Sequence, residues 1–151
     1  MMLVLAAVLS LAPLEPEVGR PEDFDDIALG YRAFTDHIAK RRLELWHVDP
    51  DEPYPWDVLA IRTGAGWWFG SIVLMDDGER RVSETFLPGT LADGRAAIVL
   101  DVITTTRRRL LVCSLGTTPS CGELDVTDLA AIVRLRRGVL RVGDERTVLT
   151  S

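Results

Sequence analysis

Two cysteines, two histidines and four tryptophans carry most of the chemical potential of this 151-residue chain. Cys113 and Cys121 lie in "RRRLLVCSLGTTPSCGELD", with the turn-forming stretch "GTTPS" between them. A zinc site needs four ligands. Only His37 and His47 are available to join the cysteines, and their spacing matches no standard site. A redox pair of the Cys-x-x-Cys kind is absent. A hairpin brings such positions opposite one another, within the reach of a disulfide. The expectation is a Cys113–Cys121 bridge, whose short loop contributes about 2.5 kcal/mol on the chain-entropy model.

His37 falls on an expected helix near its apolar stripe, and His47 on an expected strand between Trp46 and Val48. His37 reads as a packed or capping position, and nothing calls for either histidine as part of a catalytic pair. Asp49, Asp51, Glu52 and Asp57 cluster in "DPDEPYPWD", which lacks the glycine and spacing of an EF-hand loop and reads as a solvated acidic turn. There is no Gly-x-Ser-x-Gly, no Walker loop and no His-Glu-x-x-His. The Gly-x-Gly of "GAGWWFG" feeds a strand rather than a helix, so it makes no phosphate cradle. The reading assigns no catalytic residue, no metal ligand and no cofactor.

Aromatic side chains give a different hint. Trp46, Trp56, Trp67 and Trp68 fall close together, beside Tyr54 and Phe69. Adjacent residues of a strand point to opposite faces, so Trp67 and Trp68 cannot fill one core. One is expected beneath a helix, against Ile27, Tyr31 or Ile38. The other is expected in a second apolar layer or a cavity. Trp67, Trp68, Trp56 and Tyr54 form the candidate ligand or contact set.

The elements that position these residues are read from periodicity. Residues 1–12 hold an apolar run ending in Ser10-Leu11-Ala12, too short to span a bilayer and sized for a cleavable export signal, the alternative being a buried first strand or helix. Residues 13–21 carry three prolines and read as a flexible leader. Phe24, Ile27, Ala28, Tyr31, Phe34 and Ile38 recur with helical spacing and predict an amphipathic helix over 22–40. From residue 43 onward short apolar runs alternate with turn signals, including Asp77-Gly78. The expected fold is α+β and mainly β. A single domain over 22–151 packs one N-terminal helix on a curved antiparallel meander of about eight or nine strands. In "WWFGSIVLM" and "AAIVLDVI" both faces are apolar, so the middle of the sheet must be covered on both sides.

This order of a helix and then a long antiparallel meander resembles the periplasmic lipoprotein carriers of the outer membrane. The resemblance is one of architecture alone. It implies a curved sheet around an apolar cavity and transfers no residue roles.

A net charge of −6 excludes nucleic acid as an expected partner. The triplets Lys40-Arg41-Arg42 and Arg107-Arg108-Arg109 read as solvated ends of elements. Sixteen arginines against one lysine, with no Asn and no Gln, suit the proteome of a GC-rich bacterium. The functional expectation is a small exported bacterial protein, periplasmic or extracellular. It would be a non-enzymatic binding or accessory domain for a partner protein or an apolar small molecule, with no integral membrane segment in the mature chain. The alternative is a small hydrolase-like enzyme, which a histidine beside a carboxylate in a polar pocket would favour.

Overall fold

The computed structural model describes residues 7–14, 16–17, 31–48, 56–64, 66–74, 76 and 78–150. In chain order the strands are β1 (Ala7–Ser10), β2 (Ala12–Pro13), β3 (Pro16–Glu17), β4 (Tyr31–Ile38) and β5 (Arg41–Val48). They continue with β6 (Trp56–Thr63), β7 (Gly66–Leu74), β8 (Arg81–Thr90), β9 (Ala96–Thr104) and β10 (Arg108–Ser114). The last four are β11 (Ser120–Val126), β12 (Val133–Arg136), β13 (Val139–Val142) and β14 (Glu145–Thr150).

These strands make three sheets. Each is a consecutive antiparallel meander: β4 to β7, β8 to β11, and β12 to β14. The N-terminal segment then adds one short strand to the last strand of each meander. β1 joins β14 in parallel, while β2 joins β11 and β3 joins β7 in antiparallel fashion. Pro13 and Pro16 fit there because an edge strand tolerates a residue with no N–H. The segment expected as export signal and leader thus contributes strands to all three sheets in the full chain.

The sheet β8–β11 is the middle layer. Ile98, Leu100, Val102, Leu111 and Cys113 on one face meet Leu43, Leu45, Leu59, Ile61 and Trp68 of the β4–β7 sheet. Ala97, Val99, Leu110 and Val112 on the other face meet Leu9, Val133, Leu135, Leu140 and Val142 of the third sheet. The expectation of a sheet covered on both sides holds, but both covers are sheets. Two glycines permit the close approach. A Cβ at Gly89 would stand 2.7 Å from Leu135 Cβ, and one at Gly122 would stand 2.6 Å from the Ser10 carbonyl oxygen.

The expected α+β fold is corrected to all-β. The described residues contain no helix, and the second half of the expected helix, Tyr31–Ile38, is strand β4. Its first half, with Phe24, Ile27 and Ala28, lies outside the described residues. Three of the apolar residues that suggested helical spacing, Tyr31, Phe34 and Ile38, sit on a strand paired with β5. Ala39 and Lys40 both adopt positive φ (50° and 61°) and close that hairpin. This geometry suits a type I′ turn, which Asn-Gly or Asp-Gly usually advertises. Ala-Lys gives no such signal, so weak helical periodicity outweighed pairing that only the tertiary structure supplies. Without the helix, the likeness to lipoprotein carriers lapses. The strand number is corrected as well, to fourteen among the described residues. No helix among them is long and apolar enough to cross a membrane.

Cys113 and Cys121 are directly paired on β10 and β11 and form a disulfide inside the first core, with Cα atoms 4.2 Å apart. Replacing both cysteines with alanine is expected to lower stability by about 2.5 kcal/mol. Urea unfolding of the variant against the oxidised wild type measures this, and thiol-blocking mass shifts should appear only after reduction.

Gly122→Ala tests the N-terminal strand. Its added methyl displaces β1 from the second core, at an expected cost of about 1–3 kcal/mol. The same change paired with deletion of residues 1–12 should cost little further, as unfolding of the two chains by urea would show.

Candidate functional site

β5 and β6 place alternate residues on the two faces of their sheet. Leu43, Leu45, Leu59 and Ile61 point toward the middle sheet, and the alternation puts His47 and Asp57 on the same side. The two are direct partners across the β5–β6 hairpin. Glu84 and Arg81 of β8 meet them from the facing sheet. All four sit at one end of the first core.

His47 Nε2 lies 2.6 Å from Glu84 Oε1 and 3.8 Å from Asp57 Oδ1. Arg81 donates from Nε (2.9 Å) and from its terminal nitrogen (2.5 Å) to the same oxygen, Asp57 Oδ1. The Asp57 side chain is fully buried, and those of His47 and Glu84 are 9% and 10% exposed. Asp57 Oδ2 and Glu84 Oε2 are both buried and have no hydrogen-bond donor. A buried acceptor without a donor is costly, and more so when charged.

Burial raises the Asp57 pKa to about 7, and hydrogen bonding to Glu84 pushes the same way. Burial also raises Glu84. Burial lowers His47, against the pull of Asp57 and with help from Arg81. A hydrogen bond between the two carboxyl groups needs a proton that bare carboxylates do not have. A proton shared between Asp57 and Glu84 would supply it. Like-charged carboxyl groups in one site behave this way. The arrangement can share a proton, pass one through His47, or hold a cation.

The raised Asp57 sets a pH dependence. Its acid form is favoured in the folded state, so its stabilising effect is full near pH 4 and is lost as pH rises through about 7. Asp57→Asn should therefore flatten the stability profile between acid and neutral pH, by an amount on the order of a few kcal/mol. Urea unfolding of wild type and variant at several pH values checks it, and equal slopes would count against the shared proton.

Asp57 was expected in a solvated turn, and the structure buries it. Asp49, Asp51 and Glu52 lie outside the described residues. His47, expected on a strand with no assigned role, contacts Glu84 and lies near Asp57. His37 is exposed on β4, beside Lys40, Arg41, Arg42 and Arg62 in an open cavity of about 290 Å³. The Arg107–Arg109 triplet was expected in water. Instead Arg107 donates to buried Glu79, and buried Arg108 donates twice to Asp101 and also to the carbonyls of Asp128 and Ala131.

The aromatic set is divided. Trp68 packs in the first core, where its indole N–H donates to Thr63 Oγ1 at 3.0 Å, and Ile38 packs against the same cluster from β4. Trp67 lies on the opposite face with Trp46, Val48, Val58 and Ala60, and Trp56 packs beside them. Tyr54 lies outside the described residues. Three cavities of about 290–320 Å³ among the described residues are not lined by any of these aromatics or by His47, Asp57 or Glu84.

The third sheet carries a second feature. Arg134, Arg141 and Arg146 are direct cross-strand partners on its exposed outer face. The adjoining row runs Arg136, Val139, Val148 and Val8, with Arg137 in the turn beyond. Of these, Val8 and Val148 are exposed hydrophobics.

The class that this geometry defines is a three-layer all-β domain, cross-linked through its core, with a buried histidine–carboxylate cluster and an arginine-rich outer face. No protein-family model, curated protein or solved structure matches the chain.

Proposed function

We propose that this chain is a non-enzymatic binding domain of an oxidising compartment, the periplasm or the cell exterior, and that it docks a partner protein through the outer face of the β1–β14–β13–β12 sheet. The observation that carries this reading is the row Arg134–Arg141–Arg146. Like charges placed directly opposite on a sheet are destabilising. Among the described residues none of the three has an ion-pair partner. An acidic partner surface offsets that cost.

The three arginines line none of the cavities given above, which suits a protein surface better than a small anion in a pocket. Four short strands at about 4.8 Å spacing present on the order of 300 Å². That is well below the roughly 800 Å² per partner of a stable complex. The association is therefore weak and salt-sensitive, with Val8 and Val148 adding apolar contact beside the charges. The buried disulfide supports the compartment, since such bonds persist where thiols are oxidised.

Fluorescence anisotropy with labelled poly-glutamate as the acidic probe tests the face. Wild type should bind at low salt and release the probe at high salt. Arg134→Glu, Arg141→Glu and Arg146→Glu together should weaken binding about 10-fold or more. Anionic lipid vesicles run in parallel should compete poorly. Equal binding by the triple variant, or none by wild type, sinks the proposal.

The second reading, a hydrolase-like enzyme, is favoured by one observation, the contact of His47 with Glu84. Against it, the cluster is shut between two sheets. Hydrolysis of nitrophenyl ester or phosphate probes that His47→Ala abolishes would restore it.

A further inference from the structure

We infer that His47, Asp57 and Glu84 form a binding site for one divalent first-row transition metal ion of the zinc type. The inference is independent of the arginine face. One ligand atom from each of the three side chains can be chosen so that all lie within 4.8 Å of one another. Ligands bound to zinc at 2.0–2.1 Å in a tetrahedron stand about 3.4 Å apart, so small side-chain adjustments complete the geometry.

Acidic groups alone would not single out a metal. Here two further observations do. Asp57 Oδ2 and Glu84 Oε2 are buried without a donor, and a single cation answers both. The second is the role of Arg81. Both of its bonds to Asp57 go to Oδ1, which leaves Oδ2 free of the arginine and holds the plane of the carboxylate. Outer partners of this kind orient metal ligands.

The donor set chooses the ion class. One imidazole nitrogen and two carboxylate oxygens suit zinc, manganese or iron, while calcium and magnesium favour sites made of oxygen alone. Charge agrees. Two carboxylates and one arginine leave a net −1 when the imidazole is neutral, and a divalent cation allows both carboxylates to ionise. Metal ligands must be deprotonated, so binding releases any proton the carboxyls hold. His47 Nε2 exchanges its contact with Glu84 for the ion. Three protein ligands leave a fourth position for water.

The test is calorimetric titration of EDTA-treated full-length protein with zinc chloride, repeated in two buffers of different ionisation heat to count protons. Wild type should bind one equivalent and release protons, and cobalt in place of zinc should give the visible bands of a low-coordinate site. Asp57→Asn and Glu84→Gln, each checked for folding by circular dichroism, should weaken binding about 10- to 100-fold. His37→Ala should leave it unchanged. If Asp57→Asn does not fold, Glu84→Gln decides. No binding by wild type, or binding that folded Glu84→Gln leaves intact, overturns the inference and leaves the cluster as a proton-sharing pair.

Discussion

β9 buries a side chain at every step from Ala97 to Val102, alternately on one face of the middle sheet and on the other. Val99 cannot be covered by whatever covers Leu100. A sheet with two apolar faces must be enclosed twice, and the three-layer architecture is the answer this chain uses. The β4–β7 meander covers one face and the β12–β14 hairpins cover the other. Edges then remain on all three sheets, and an uncovered edge invites pairing with another chain. The N-terminal segment closes one edge of each in turn. Gly89 and Gly122 let backbone and side chains come close enough for the layers to meet.

The apolar layers end in charged groups, and these differ in an informative way. Arg108 and Asp101 match one to one, by two bonds between charged partners. Glu79 is fully served by Arg107, Thr104 and the Asp76 N–H. These are balanced pairs that close the ends of the sandwich. The third group holds one arginine, two carboxylates and a histidine. Its surplus carboxylate makes it unlike the others. A fold that needed only closure would be served by Arg81 and Asp57 alone. Burial costs an unbalanced charge several kcal/mol, so the excess calls for a proton or a cation.

Strands were legible in the sequence wherever alternation and turns agreed. The disulfide was legible because a turn lies between two cysteines on adjoining runs. The His47–Asp57 partnership was within reach too. The two residues stand at equal distance from the centre of the turn "DPDEPYP", and drawing that hairpin puts them opposite one another. Glu84 was not within reach, because it comes from a different sheet whose position against β5 no local pattern encodes. Arg108 misled for the same reason. An arginine triplet in sequence resembles a wet turn, and its partners Asp101 and Ala131 are found only when β9 and the loop before β12 are in place.

By itself the sequence determined the strand-rich character, the opposed faces of Trp67 and Trp68, the two-sided middle sheet and the cysteine pair. These follow from side-chain alternation with period two, which acts within a few residues. Tertiary structure alone decided that Tyr31–Ile38 is a strand, that residues 7–17 bridge three sheets and that two carboxylates and a histidine converge. The free energy of those choices lies in contacts between layers far apart in the chain, where burial of apolar surface outweighs weak local preference.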